Sequence, residues 1–183
     1  MGYHKLNYLN WHISDDQSFP ISVGDITKIF SEKKSIDPTF KNMTGAFDSN
    51  KVYRYNDIRK IVETAYNYGI TIIPGIDSPG HCSALMYGSY EATKELFGKS
   101  FQIIEGYQLK YQGSLNAPEP IIGYLDIGNT NYTERIICII YKIFDEVLNA
   151  FQDENGKYGN RFDINADEIN TKPNSYFNQV YNS

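Results

Sequence analysis

The most constraining stretch of this sequence is a helix pattern that runs directly into five residues suited to a buried strand. Ile58, Ile61, Val62 and Ala65 recur at three- and four-residue spacing behind Asn56 and Asp57, either of which is an expected N-cap, and the pattern stops at Gly69. Ile70-Thr71-Ile72-Ile73-Pro74 follows at once, short, apolar and β-branched, as a strand covered on both faces requires. A helix returning through a tight turn onto such a strand is half of a βαβ unit. Strands of that kind lie parallel and need helices on their faces.

The remaining patterns agree with that architecture. Lys5 to His12 alternates apolar and polar residues and predicts a strand ending near Ile13, ahead of the polar run Ser14-Asp15-Asp16-Gln17. Asp25 to Lys34 reads as a short amphipathic helix, and Lys41 to Val52 as loop. Glu91 to Phe97 suits a helix and Phe101 to Leu109 suits paired strands, with their order left open between Ser83 and Leu115. Asn131 or Thr133 opens a helix reaching about Phe151, with Ile136, Ile139, Ile140, Ile143, Phe144, Val147 and Leu148 on one broad face. Asp153-Glu154-Asn155-Gly156 reads as a turn, Arg161 to Ile164 as another short strand. The order is that of an α/β protein with parallel strands, and with no repeat or linker in the sequence, residues 1–183 are expected to form one unit.

Charge and composition narrow the function. Lys and Arg number 17 against 22 Asp and Glu, a net charge of -5, so there is no basic excess to neutralise a nucleic-acid backbone. The longest apolar runs, such as Ile136 to Ile140, fall far below the roughly 20 residues that span a bilayer, and no charged-then-apolar leader opens the sequence. Cys82 and Cys138 lie far apart in a chain long enough to fold without a staple, and both are expected to be free thiols. Sixteen tyrosines invite a sugar-binding groove, because a ring covers the apolar face of a sugar while its hydroxyl bonds at the edge, although core packing plus compositional bias is the favoured account of any single one.

Three polar clusters each follow an expected strand: His12 with Asp15 and Asp16, Asp77 with Pro79-Gly80-His81, and Asp167 with Glu168. Singly, each suits a solvated turn. Together they suggest one pocket, since loops after parallel strands converge on a single face. Neither a metal nor a cofactor is expected: the three histidines lack zinc-motif spacing, the cysteines have no close partners, and there is no glycine-rich phosphate loop or Gly-x-Ser-x-Gly elbow. Acid chemistry by carboxylates remains.

These residues carry a resemblance to family 20 glycoside hydrolases, the β-N-acetylhexosaminidases and lacto-N-biosidases. Lys5-Leu6-Asn7 through Trp11-His12-Ile13-Ser14-Asp15-Asp16-Gln17-Ser18-Phe19-Pro20 resembles the family's second barrel strand and its loop. Tyr55 through Pro74 leading into Asp77-Ser78-Pro79-Gly80-His81 is similar to the following helix, third strand and Asp-x-Pro-Gly-His motif. Leu125-Asp126, the helix to Phe151, and Phe162 to Glu168 resemble the run into the fourth strand and its Asp-Glu pair. Two departures stand out: Asn165-Ala166 where many members have Gly-Gly, and Gly75 where many have Glu.

The resemblance implies part of a (β/α)8 TIM barrel, about strands 2 to 4, with the barrel incomplete within these residues. A full barrel takes about 250 residues. It implies a retaining hydrolase acting on terminal β-linked N-acetylhexosamine or lacto-N-biose glycans, in which the substrate's own 2-acetamido oxygen is the nucleophile. Glu168 is then the general acid and base, and Asp167 orients the acetamido group and stabilises the oxazolinium. Asp167 beside it and desolvation by sugar are expected to keep Glu168 protonated. His81 and Asp15 form a pair behind Glu168, Asp77 holds the His81 loop, and His12 and Asp77 line the sugar site. Both acidic residues reach one sugar only if the backbone leaves β geometry there. The first-strand Arg and the later Trp, Tyr and Asp residues of the family pocket have no counterpart here, and Trp11 lies within a strand. Residues 1–183 alone are therefore expected to show little turnover and to need the rest of a barrel or a self-association partner. Relatives are often secreted or cell-surface proteins. A non-catalytic carbohydrate-binding remnant is the alternative, and an unrelated open-sheet enzyme a distant third.

Overall fold

The computed structural model describes residues 1–105, 123–152 and 161–166. Its centre is a parallel pair, β1 (Tyr8–Ser14) beside a strand at Thr71–Ile76, with Tyr8 opposite Thr71, His12 opposite Gly75 and Ser14 opposite Ile76. An irregularity between His12 and Ser14 lets the end of β1 turn into the loop that carries Asp15. Between them come β2 (Ile21–Ser22), α1 (Asp25–Glu32), β3 (Tyr53–Arg54), parallel to β2, and α2 (Tyr55–Asn67), which makes Thr71–Ile76 β4. A 3-10 turn at Ser83–Gly88 leads into α3 (Ser89–Phe97); β5 (Ile104–Glu105) pairs antiparallel with β6 (Tyr124–Leu125), and α4 (Thr133–Phe151) follows.

Asp163 adds a third segment on the far edge of β4. It forms an isolated parallel bridge to Gly75, donating from its N–H to Pro74 O (2.9 Å) and accepting from Ile76 N (3.0 Å). The expected strand from Arg161 to Ile164 therefore shortens to one residue, for a reason at each end. Extending the ladder backwards would need an N–H from Pro74, which has none. Forwards, the N–H of Asn165 turns to the Asp163 side chain (Oδ1, 2.9 Å), and Asn165 and Ala166 both take a left-handed φ of 53°.

The helices close over the sheet as their apolar faces require. Ile136, Ile139, Ile143 and Val147 of α4 are fully buried, in one cluster with Ile29 and Phe30 of α1, Ile58 and Val62 of α2, and Ile72 and Ile76 of β4. Trp11 packs its ring edge against Tyr53 (5.0 Å between centroids) and Phe151 (6.0 Å), away from any sugar pocket. The start of α2 corrects the expected cap: the helix begins at Tyr55, and Asp57 reaches back to accept the N–H of Arg54 (2.9 Å). Gly69 ends it with φ 69°. Both cysteines are free, and residues 106–109 of the expected strand pair and the turn at 153–156 lie outside the described residues. Among the described residues, no helix is long and apolar enough to cross a membrane.

Two long-range charges tie the layer together. Glu146 of α4 accepts the N–H groups of Ile26 (2.9 Å) and Thr27 (2.8 Å), placing an anion at the positive end of α1. Arg59 of α2 donates to the carbonyls of Ala150 and Gln152, a cation at the negative end of α4. Glu146→Ala leaves two helix N–H groups without their acceptor, and urea unfolding is expected to show a loss of about 1–2 kcal/mol. Glu63→Ala, on the exposed face of α2, is expected to stay within about 0.5 kcal/mol.

Candidate active site

The two parallel strands deliver their polar residues to one edge. In a strand alternate side chains share a face, so Asn10 and His12 of β1 point together, and the end of β1 presents Asp15 beside the loop that leaves β4. The Asp15 carboxylate lies between two imidazoles: Oδ2 is 3.3 Å from His12 Nε2 and Oδ1 is 3.2 Å from His81 Nδ1. Asp77, at the end of β4, brings Oδ2 to 3.6 Å from the same His12 nitrogen, and Asp16 brings Oδ2 to 3.3 Å from His81 Nδ1. His12, Asp15, Asp77 and His81, expected together from the sequence, thus form one cluster. Asp77 is only 3% exposed, whereas His12 beside it is 48% exposed.

Sequence reasoning grouped Asp16 with His12 and Asp15 but gave it no role, and it passed over Asn10, Asp163 and Asn165 as members of this cluster. Asp16 is buried and anchors two loops, accepting from Ser83 N (2.8 Å), Ser83 Oγ (2.6 Å) and Gly123 N (3.0 Å) through Oδ1. Asn165 lies against His12, with its backbone and side chain both turned to Asp163, which also accepts from Asn10. The signal was available for one pair: Asn10 and His12 are two residues apart on β1 and share its face. Asp167 and Glu168 lie outside the described residues. The run before them leaves β geometry at Asn165 and Ala166, both at φ 53°, where glycine carries no penalty.

The electrostatics set the protonation of the cluster. Burial pulls the His81 imidazole towards its neutral form, but the carboxylates of Asp16, Asp15 and Asp77 and the hydrogen bond to Asp15 outweigh it, so its pKa lies above the ordinary histidine value. The Cys82 thiol is pushed well up by burial and then by Asp16, Asp77 and Asp15, which makes it a poor nucleophile; it donates instead to the carbonyls of Asp77 (3.1 Å) and Gly80 (3.0 Å). Two trios, His12 with Asp15 and Asp77, and His81 with Asp15 and Asp16, hold atoms of metal-ligand type within 4.8 Å of one another, although the histidines lie far apart in sequence. Each trio is also a set of hydrogen-bonding and charge-paired groups, an arrangement that can hold a proton between imidazole and carboxylate.

Residues 1–181 match the model of the glycosyl hydrolase family 20 catalytic domain. The chain belongs to this family. Among its relatives are beta-hexosaminidase subunit beta of Sus scrofa, 30% identical over 84% of this chain and 23% of that protein, and beta-hexosaminidase 1 of Coccidioides posadasii, 28% identical over 96% of this chain and 24% of that protein. Among solved structures, the chitobiase of Flavobacterium johnsoniae matches at 28% identity over 82% of this chain and 18% of the other, with a TM-score of 0.53. The chain thus spans about a quarter of the length of the curated relatives it matches. Catalytic domains of family 20 are TIM barrels, and the few parallel strands here belong to that architecture.

The His81 shift has a definite sign. A histidine whose folded pKa is raised stabilises the protein fully below its unfolded value near 6.5, and that contribution is lost as pH rises through the folded value. The stability difference between the native chain and His81→Gln is therefore expected to be largest below about pH 6 and to shrink on raising the pH through 7 and above, read by urea titration.

Proposed function

We propose that residues 1–183 are one partial family 20 catalytic domain, contributing strands 2 to 4 of a barrel that is not closed within them. The reading is supported by the order β1, β4, Asp163 and by apolar surface of the kind further βα units cover. Tyr8 and Leu9 of β1 and Ile137 and Tyr141 of α4 are exposed, and the latter two border a hollow of about 350 Å³ lined with Leu125, Ile127 and Phe144. The remainder of the barrel, or a second chain supplying it, is the partner this surface suits.

The activity is hydrolysis of terminal β-linked N-acetylhexosamine, or lacto-N-biose, glycosides by the substrate-assisted retaining route. The observation that carries it is the Asp15–His81 pair at 3.2 Å, set beside His12 and Asp77 at the ends of two adjacent parallel strands, with the third segment leaving β geometry at Asn165 and Ala166. Glu168 protonates the leaving oxygen and then activates water; Asp167 orients the acetamido nitrogen and stabilises the oxazolinium. His81 and Asp15 hold and tune Glu168, His12 faces the sugar, and Asp77 orients His12. The nucleophile is the acetamido oxygen, so a single acid–base residue suffices.

Aryl N-acetyl-β-glucosaminide hydrolysis tests both parts. Residues 1–183 alone are expected to show little or no turnover, and turnover that Glu168→Gln abolishes would overturn the partial-domain reading. With the rest of the barrel present, Glu168→Gln is expected to lower kcat by about 10²–10⁴, more for alkyl than for aryl leaving groups, because an aryl oxide departs without help from an acid. Fluorinating the acetamido methyl is expected to slow the reaction with each fluorine. Insensitivity to fluorination would contradict the acetamido nucleophile.

A further inference from the structure

We propose that Asn165 is the positioning residue for His12, fixing the Nδ1–H of the imidazole towards its own amide oxygen and Nε2 towards Asp15 and Asp77. The inference rests on the family 20 reading only for its consequence, not for its geometry.

The argument is a count of donors and acceptors. The two ends of an amide have the same shape, and only their partners distinguish them. One end of the Asn165 side chain lies 3.2 Å from both oxygens of Asp163; the other lies 2.7 Å from His12 Nδ1. Asp163 is a carboxylate that already accepts from Asn10 and from the Asn165 backbone, so the end facing it must be the NH₂ group. The carbonyl oxygen then faces His12, and Nδ1 must carry a proton to satisfy it. On the other side of the ring, Nε2 also faces only acceptors, Asp15 at 3.3 Å and Asp77 at 3.6 Å, so each ring N–H of the protonated form has an acceptor. Without Asn165 the Nδ1–H would lose its acceptor.

Glycine at position 75 makes this contact possible. A Cβ on Gly75 would sit 3.2 and 3.3 Å from the two ends of the Asn165 amide and 3.3 Å from Asn10 Oδ1, so a side chain on β4 would press on the residues that bridge β1 to the third segment. The two departures noted from the family pattern, Gly75 and Asn165, are thus a spatial pair: the space left open on β4 is filled by an amide from the next segment. The consequence is a continuous line of partners, Asp163 to Asn165 to His12 to Asp15 to His81, from the sheet interior to the residue behind the proposed acid. The charged groups facing His12 are Asp15 and Asp77, with Asp163 behind Asn165, and His81 and Asp16 beyond Asp15.

Histidine side-chain ¹H–¹⁵N spectra of the full chain read this directly and need no turnover. At about pH 5, below the ordinary histidine value, where an imidazole carries both protons, the native chain is expected to show a slowly exchanging Nδ1–H for His12. Asn165→Gly keeps the left-handed backbone but removes the amide, and is expected to lose that Nδ1–H signal to solvent exchange while Nε2–H persists, with the His81 pattern retained. Gly75→Ala, which displaces Asn165 without deleting it, is expected to weaken the same signal. An unchanged His12 pattern in Asn165→Gly overturns the proposal, and so does a change that spreads equally to His81, the mark of general disruption. A chain without hydrolase activity but with the expected His12 response leaves this inference standing and sinks only the functional reading; hydrolysis with an indifferent His12 does the reverse.

Discussion

One carboxylate shared by two imidazoles organises this molecule. Asp15 can meet His12 on one side and His81 on the other only if β1 and β4 run in the same direction and end at the same level, because His12 is on the first strand and His81 follows the second. The His12–Gly75 register supplies that alignment. Helix burial enforces it: a slip of one residue would turn His12 and Asn10 to the helix side and bring Trp11 and Ile13 into the polar cluster. Packing and chemistry are therefore coupled through one strand pair, with Trp11 against Tyr53 and Phe151 on one face and His12 against two acids on the other.

Much of this was legible in the sequence. The helix ending at Gly69, the β-branched strand after it and the long apolar face from Ile136 to Val147 all declare themselves by periodicity, since burial imposes the period. The grouping of His12, Asp15, Asp77 and His81 followed from one rule, that loops after parallel strands share a rim. What escaped needed information held by a different part of the chain. The segment at Arg161 to Ile164 has strand-like residues, but its ladder is cut by Pro74, some 90 residues earlier, and no local pattern reports that. Asn56 was a reasonable cap, yet Asp57 reaching back to Arg54 sets the helix start. Asn165 read as a departure from a glycine, whereas its amide is a partner of His12.

The cluster also shows how acids and histidines at strand ends hold together. Asp15, Asp16 and Asp77 would repel one another in a half-buried setting; two imidazoles between them, and the N–H and hydroxyl groups of Ser83 and Gly123 on Asp16, offset that repulsion. The charge that raises the His81 pKa is thus the same charge that the histidine keeps folded.

A double-mutant cycle on Asp15 and His81, read by urea unfolding near pH 6, tests the central claim most directly. If the shared carboxylate is the organising contact, Asp15→Asn and His81→Gln together should cost less than the sum of the two alone, by at least about 1 kcal/mol. Additive effects, within about 0.3 kcal/mol, would mean that the two side chains do not act on each other and would contradict the account.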